Sequence, residues 1–429
     1  MTDIATYALD KLTKAGADKA SCNVESGRKD EFNVETNEFS LLRTLFEDEL
    51  TLKAIIGGRM GTITINKLDK DSVDAAVEEC VAMANASLPD EAEDVAMLYD
   101  NENFSRNIGG ADMENFFGRT KEFVQEIKDL YPKVSTDMQA AFNSGKQTYI
   151  NSNGVEFNDE AEYYYFQPIF SAKEGEVSSS FNYYGVALDS LATPFMDRGM
   201  IRTLIEESER SIKTRMVEDK FVGKIIVTPA CEDMIWYTIL RCFLNAGPMI
   251  SGTSRWKEAL GTQVADSKLT MRAAPYHPSM VAGERFTHDG FVSKDFDFIK
   301  DGLLMSYALP LYGANKTGKP RSCNTAFYNL EIKAGDVALA DMIKGIDKGL
   351  LVNRFSGASP GPSGDVSGVA KNSFLIENGQ ITDAVSETMV ALNVADILQN
   401  IPAISKERCM NGMTVLPWFC FDGVTVSGK

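Results

Sequence analysis

The chain has 429 residues, 44% hydrophobic and 24% charged, with a formal net charge of −18; that length outgrows a single core and predicts two domains. The acidic balance, relieved by no run of Lys and Arg, argues against direct contact with nucleic acid. No apolar run is long enough to span a bilayer and the first residues lack the basic and apolar regions of an export signal, so a soluble cytoplasmic protein is expected.

In chain order, Ile4, Tyr7, Ala8, Leu12 and Ala15 make an apolar helical stripe that stops at Gly16. The next stretch alternates with period two, and Cys22, Val24, Leu50, Leu52, Ala54, Ile63 and Ile65 should face a core. A second helix is predicted over 71–86, followed by an acidic exposed connection, PDEAEDVAMLYDNENF, and a third helix over 112–130. Further strands with alternating aromatics follow. A fourth helix over 195–216 carries Glu206, Glu207 and Glu209 with Arg210 and Lys213 as a solvated face. The domain boundary is placed near residue 215. Beyond it, Val222–Val227 reads as a short apolar strand and Pro229 as the start of a helix. GKIIVTP, KLTMRAAP, GFVSKDFDFI, GLLMSYAL, NTAFYNLEI, GLLVNRFSG, SFLIENGQI and MTVLPWF are then strand candidates, with short helices near 337–343 and 393–400. The fold class expected is α+β, with a helix-and-antiparallel-strand domain over 1–215 and a sheet-rich domain over 216–429.

Chemistry-bearing residues are sparse. The two histidines, His277 and His288, stand eleven apart, which rules out a helical H-E-x-x-H zinc pair. The seven cysteines, at 22, 80, 231, 242, 323, 409 and 420, form no C-x-x-C and read as buried thiols. Cys231, Glu232 and Asp233 in the first turn after Pro229 fit helix capping. In ISGTSRWKEALGTQVA, Arg255 and Trp256 follow capping residues and have the composition of a contact surface. The Gly/Pro/Ser-rich loop Phe355–Gly368, which includes Ser356, Ser363 and Asp365, is too long for an ordinary strand connection; it ends in no G-K-S/T and so is not a phosphate loop. Arg255, Trp256, Ser356, Ser363 and Asp365 are the candidate binding or interface residues. No catalytic residue and no metal ligand is assigned.

The combination of GKIIVTPAC, SGTSRWKEALGTQVADSKLTM, HDGFVSKDFDFIKDGLLMSYAL, GLLVNRFSGASPGPSGDVSGVAKNSFLIENGQI and ALNVADILQNIPAISKE resembles the TldD/PmbA family, formerly labelled modulators of DNA gyrase, and within it the PmbA branch, also called TldE. The first half resembles it more weakly, through GGRMGTITIN and the order of segments. In the TldD branch, the resemblance implies, H-E-x-x-x-H on the helix after the first C-terminal strand binds zinc, with a later cysteine as a further ligand. Here that helix reads CEDMIWYTILRCF, without histidine, and Cys409 lies near the place of the cysteine. A lone thiolate does not hold an open catalytic zinc. The resemblance therefore implies a subunit with no cofactor of its own, paired with a zinc-bearing TldD-type partner in a heterodimeric peptidase acting on unfolded or small peptides, or else a homodimer. Two other readings stay open on the residues alone: a metal-independent hydrolase using Cys231, Cys409 or the pair Asp365 and Glu377, and a homodimeric binding protein for peptides or glycans.

Overall fold

Four strands far longer than the usual five or six residues set the shape of the N-terminal half. In the computed structural model, which describes residues 1–97, 101–324, 329–357 and 359–428 and only the backbone of Glu232 and Asp233, β1 (Lys19–Glu35), β2 (Glu38–Ile56), β5 (Val134–Asn151) and β6 (Glu156–Glu174) pair antiparallel in the order β2-β1-β5-β6. β3 (Arg59–Ile65) extends the β2 side and β4 (Glu102–Arg106) joins β6 in parallel. The short β7 (Val177–Ser178), β8 (Asn182–Tyr183) and β9 (Val186–Leu188) also pair with β6.

These strands serve two cores, one at each end. At the first, Cys22, Val24, Leu50, Leu52 and Ala54 lie under Ala5, Ala8 and Leu12 of α1 (Thr2–Lys14) and Val73, Val77 and Cys80 of α2 (Lys70–Ala86). Asp69 starts α2 by accepting the Ser72 amide, a normal N-cap. At the other end, Phe32, Val34, Met138, Phe142 and Phe166 lie with Phe116, Phe123 and Ile127 of α3 (Met113–Leu130) and Ile201, Leu204 and Ile205 of α4 (Ile201–Arg210). Period-two burial breaks over Glu25–Lys29, the waist between the cores. The far half of β2, Glu38–Glu49, pairs with β1 alone because β3 begins its pairing at Leu50. That edge exposes Leu42 at 76% and Phe46 at 74%.

The C-terminal half is built on a second sheet. Its long path starts at β10 (Thr214–Met216) and holds β11 (Phe221–Val227), β12 (Met271–Ala273), β13 (Phe296–Lys300), β14 (Leu303–Leu304), β15 (Leu330–Ile332) and β16 (Lys348–Val352). β17 (Arg354–Gly357) and β18 (Asp365–Lys371) make a hairpin, followed by β19 (Phe374–Glu377), β20 (Gln380–Ser386), β21 (Thr388–Asn393), β22 (Ala403–Met410) and β23 (Val415–Ser427). β11 is central, parallel to β16 and antiparallel to β23. Its Ile225 and Val227 enter the largest core and Ile226 the opposite one, which is why these three successive residues are all apolar.

Each strand-like segment read beyond residue 215 contains a strand, although Thr325–Tyr328 of NTAFYNLEI lie outside the described residues. Three expectations need correction. The helix over 195–216 is broken: a 3-10 turn at Phe195–Asp197, α4, then β10. Glu207 is no part of a solvated face, being 8% exposed and accepting 2.6 Å from Asn353 Nδ2 across the seam between the halves. The connection at 89–104 buries Ala92, Val95 and Ala96 and forms β4, with Leu98–Asp100 outside the described residues. The seam also holds Asp90, which accepts from the Tyr312 hydroxyl at 3.0 Å and pairs with Lys316 at 2.8 Å. Further along it, Phe286 and Phe291 pack with Tyr149 and Phe157.

Candidate functional site

Where β11 ends, Thr228 and Pro229 turn the chain into a helical segment with three geometries in succession. A 3-10 turn kinked at Cys231 (Pro229–Met234) leads into α5 (Trp236–Ile239), and α5 into a π turn (Leu240–Leu244) closed by Asn245 N donating to Leu240 O at 3.0 Å. Such π turns concentrate at functional sites. This one aims two side chains at the connection between β17 and β18: Arg241 Nη1 donates to Ser359 Oγ at 3.2 Å and the Cys242 thiol to Gly361 O at 3.3 Å.

The long Gly/Pro loop of the sequence is therefore the tip of a hairpin, its outer parts paired as β17 and β18, with Ala358 outside the described residues. Gly364, at φ +90°, sits where a Cβ would come within 2.5 Å of the Phe243 ring, so both conformation and space demand glycine. With Gly361 N donating to Asp365 O and Val394 N to Gly364 O, both at 2.9 Å, the tip is pinned to its surroundings.

Between the helical segment and this hairpin lies a crevice of about 250 Å³. Cys231, Met234, Tyr237 and Thr238 form one wall, Phe355, Gly357, Pro360 and Val366 the other. Tyr183, from the N-terminal half, closes one end beside Arg354. The Arg354 guanidinium lies 3.7 Å from the centre of the Phe181 ring and 5.4 Å from that of Tyr183, and Nη1 donates to Phe181 O, which also accepts from Asn372 Nδ2 at 2.9 Å. Half burial holds the Arg354 pKa below the usual arginine value, because desolvation penalises the cation. Among the described residues no carboxylate forms an ion pair with Arg354 or Arg241.

The candidate residues divide. Arg255, Ser363 and Asp365 are brought together: Arg255 pairs with Asp396 at 2.9 Å and donates to Asn393 at 3.2 Å, while Asp365 accepts from Ser363 Oγ and from Asn393 Nδ2. Those hydrogen bonds, Ser363 first, hold the Asp365 carboxyl below the ordinary range. Trp256 is 4% exposed and packs on Phe243 with ring centroids 4.6 Å apart, so its side chain serves the core. Ser356 is exposed on β17, paired opposite Val369 and apart from the cluster. Sequence reading passed over Arg354, Arg241 and Tyr183. The only signal for Arg354 was a charge separated by one residue from the apolar run Gly349–Val352.

The remaining chemistry is dispersed. His277 accepts the Ser279 amide on Nδ1 at 3.1 Å and turns Nε2 toward Glu331 at 3.8 Å; His288 is exposed. Asp365 and Glu377 belong to separate networks, Glu377 pairing with Arg215 at 2.6 Å. Cys409 lies in the N-terminal core, its sulfur 3.0 Å from the Tyr184 hydroxyl. Among the described residues no three His, Cys, Asp or Glu side chains are grouped as metal ligands. The side chains of Glu232 and Asp233 lie outside the described residues, and no helical segment Cys231–Phe243 built without imidazole fits the zinc of a TldD-type site.

Residues 223–428 match the family model of the PmbA/TldA metallopeptidase C-terminal domain. A relative named Metalloprotease PmbA homolog, from Haemophilus influenzae, is 22% identical over 422 residues, 94% of this chain and 90% of its own length. The crystal structure of TldE from Thermococcus kodakarensis superposes with a TM-score of 0.82 at 20% identity, covering 99% of this chain and 100% of the other. That of a candidate modulator of DNA gyrase from Bacteroides thetaiotaomicron gives a TM-score of 0.88 at 22% identity, over 100% and 99%. Residues 223–428 are thus similar to the PmbA/TldA metallopeptidase C-terminal domain, the chain is similar over most of its length to PmbA homologues and shares the TldE fold from end to end, and its sequence lacks the histidine zinc motif.

Proposed function

We propose that this chain is the metal-free, non-catalytic subunit of a TldD-type zinc metallopeptidase complex acting on peptides or unfolded proteins in the cytoplasm. The observation that carries the reading is the segment Cys231–Phe243, which lines the crevice, matches in sequence order the zinc helix that the resemblance implies for the TldD branch, and contains no histidine. The names of the relatives, metalloproteases, point to proteolysis. In such a complex the partner supplies the metal that makes water nucleophilic near neutral pH, and this chain supplies walls that hold an extended peptide. The unpaired edge of β2, with Leu42 and Phe46 exposed, suits a second subunit, since an apolar edge left open is an aggregation hazard.

Purification alone and together with a TldD-type subunit, followed by zinc analysis and a peptidase assay on unfolded peptides, tests this. The expected result is no zinc and no cleavage alone, and a stoichiometric complex with chelator-sensitive activity. Chelator-resistant cleavage by the pure chain, lost on replacing Cys231, Cys409, Asp365 or Glu377, would establish the self-contained hydrolase instead. A homodimer that binds peptides and recruits no zinc subunit would establish the binding protein.

A further inference from the structure

We infer that the crevice between the helical segment and the β17–β18 hairpin binds a carboxylate of the peptide, with the Arg354 guanidinium as its counter-ion; the inference rests on the peptide-holding reading and narrows it to one chemical group. Arginine stays protonated in proteins, so Arg354 places a full positive charge at the seam of a chain whose net charge is −18. Three exposed arginines of the chain are paired, Arg215 with Glu377 and Asp383, Arg202 with Glu126 and Asp197, Arg255 with Asp396, whereas half-buried Arg285 rests on the Tyr276 ring and the Pro275 carbonyl. Arg354 likewise rests on two aromatic faces and a carbonyl. Aromatic faces and a carbonyl orient the guanidinium and partly offset its desolvation, but among the described residues they leave N–H donors of the fork for the bidentate geometry that arginine makes with carboxylates.

The neighbours agree with an anion there. Arg241, likewise without a carboxylate among the described residues, is held over the Tyr237 ring and bonded to Ser359 on the opposite wall. Tyr237 and Phe355, with Met234 and Val366, give the rest of the crevice an apolar lining. At about 250 Å³ the space is below the ~300–1,000 Å³ of a pocket for a whole small ligand, a size suited to one residue at the end of a chain. The carboxylate is that of the peptide C-terminus or of an acidic side chain.

Three N-terminally fluorescein-labelled heptapeptides of the same unfolded sequence ending in Phe separate these sources: the free acid, the C-terminal amide, and the amide with Glu at the penultimate position. Each is titrated by fluorescence anisotropy into the purified full-length chain. The free acid is expected to bind at least about fivefold more tightly than the amide, a preference abolished by Arg354→Gln and partly kept by Arg354→Lys, which retains the charge but not the fork. Recovery of affinity in the Glu-containing amide also supports the carboxylate site and assigns it to a side chain. Equal binding of all three peptides overturns the carboxylate inference while leaving peptide binding intact. No binding of any of them removes the peptide-holding reading and the inference with it. Unchanged thermal unfolding of Arg354→Lys keeps loss of fold apart from loss of ligand.

Discussion

Two arginines at the tip and the base of the β17–β18 hairpin have opposite surroundings. Arg255 is neutralised by Asp396, with Asn393, Ser363 and Asp365 completing a closed polar network. Arg354, at the base of the hairpin, has aromatic rings and a carbonyl. A charge whose partners are already in place stabilises the loop it sits on; one whose donors are unspent is available to a ligand. The contrast extends to Glu207, on the N-terminal side of the same seam. Its carboxyl is buried and meets the amide of Asn353, whose own Oδ1 has no hydrogen-bond partner among the described residues.

The contrast can be broken most forcefully at Trp256. If its role is packing under the Arg255 network, Trp256→Ala costs about 3–5 kcal/mol of unfolding free energy, read from denaturant midpoints, and the peptide preference for a free acid survives in the protein that remains folded. A well-folded Trp256→Ala chain that has lost peptide binding would return this residue to the contact surface.

Glu207 sharpens the comparison next. Burial pushes its carboxyl up to about 7, whereas an unfolded glutamate titrates near about 4.3. The folded state then holds the proton more firmly, so this group's stabilisation is complete below about pH 4.3 and is lost as pH rises to about 7. On the order of 2–3 kcal/mol separates those limits. Glu207→Gln should therefore gain stability relative to the parent between pH 5 and pH 8, measured as the difference of two melts at each pH. A constant difference across that window would mean that Glu207 stays ionised, with nearby Arg210 compensating it.

The smallest effect is expected at Arg255. An exposed ion pair contributes about 0–1 kcal/mol, so Arg255→Ala should shift the melting temperature slightly and leave the affinity for the free-acid peptide within about twofold. A tenfold loss would show that the cluster of Arg255, Ser363 and Asp365 touches the ligand. Ser363→Ala tests the same network more finely: Asp365 loses the hydrogen bond that contributes most to its lowered pKa, and its titration, followed by NMR, should move up toward the usual carboxylate range.

Much of the architecture was legible because it rests on local periodicity. Ala8, Leu12, Val73, Val77 and Cys80 are buried on the helices their spacing predicts, and Cys22, Val24, Leu50, Leu52 and Ala54 on the strands. The length of β1 and β2 was not legible. The middle of β1, Glu25–Lys29, and the far half of β2, Glu38–Glu49, are polar or exposed on both faces, so no alternation marks them; pairing with β5 and β1 keeps them extended. The break in the helix over 195–216 escaped for a related reason. Its composition is helical throughout, but Thr214–Met216 pairs with Ala384–Ser386, about 170 residues away, a competition that local propensity cannot register.

The site followed the same division. Arg255, Ser363 and Asp365 stood out because they lie in segments of unusual composition, and composition is a local property. Arg354 did not, because its significance comes from Phe181 and Tyr183 on one side and from Tyr237 and Cys231 on the other, all distant in sequence. The sequence by itself determined the resemblance to PmbA/TldD proteins, the helix–strand alternation and the want of imidazole in Cys231–Phe243, since each depends on residue identity and spacing alone. Only the tertiary structure decided which charges are neutralised and which are not, because desolvation and Coulomb interactions act through space between elements that folding brings together.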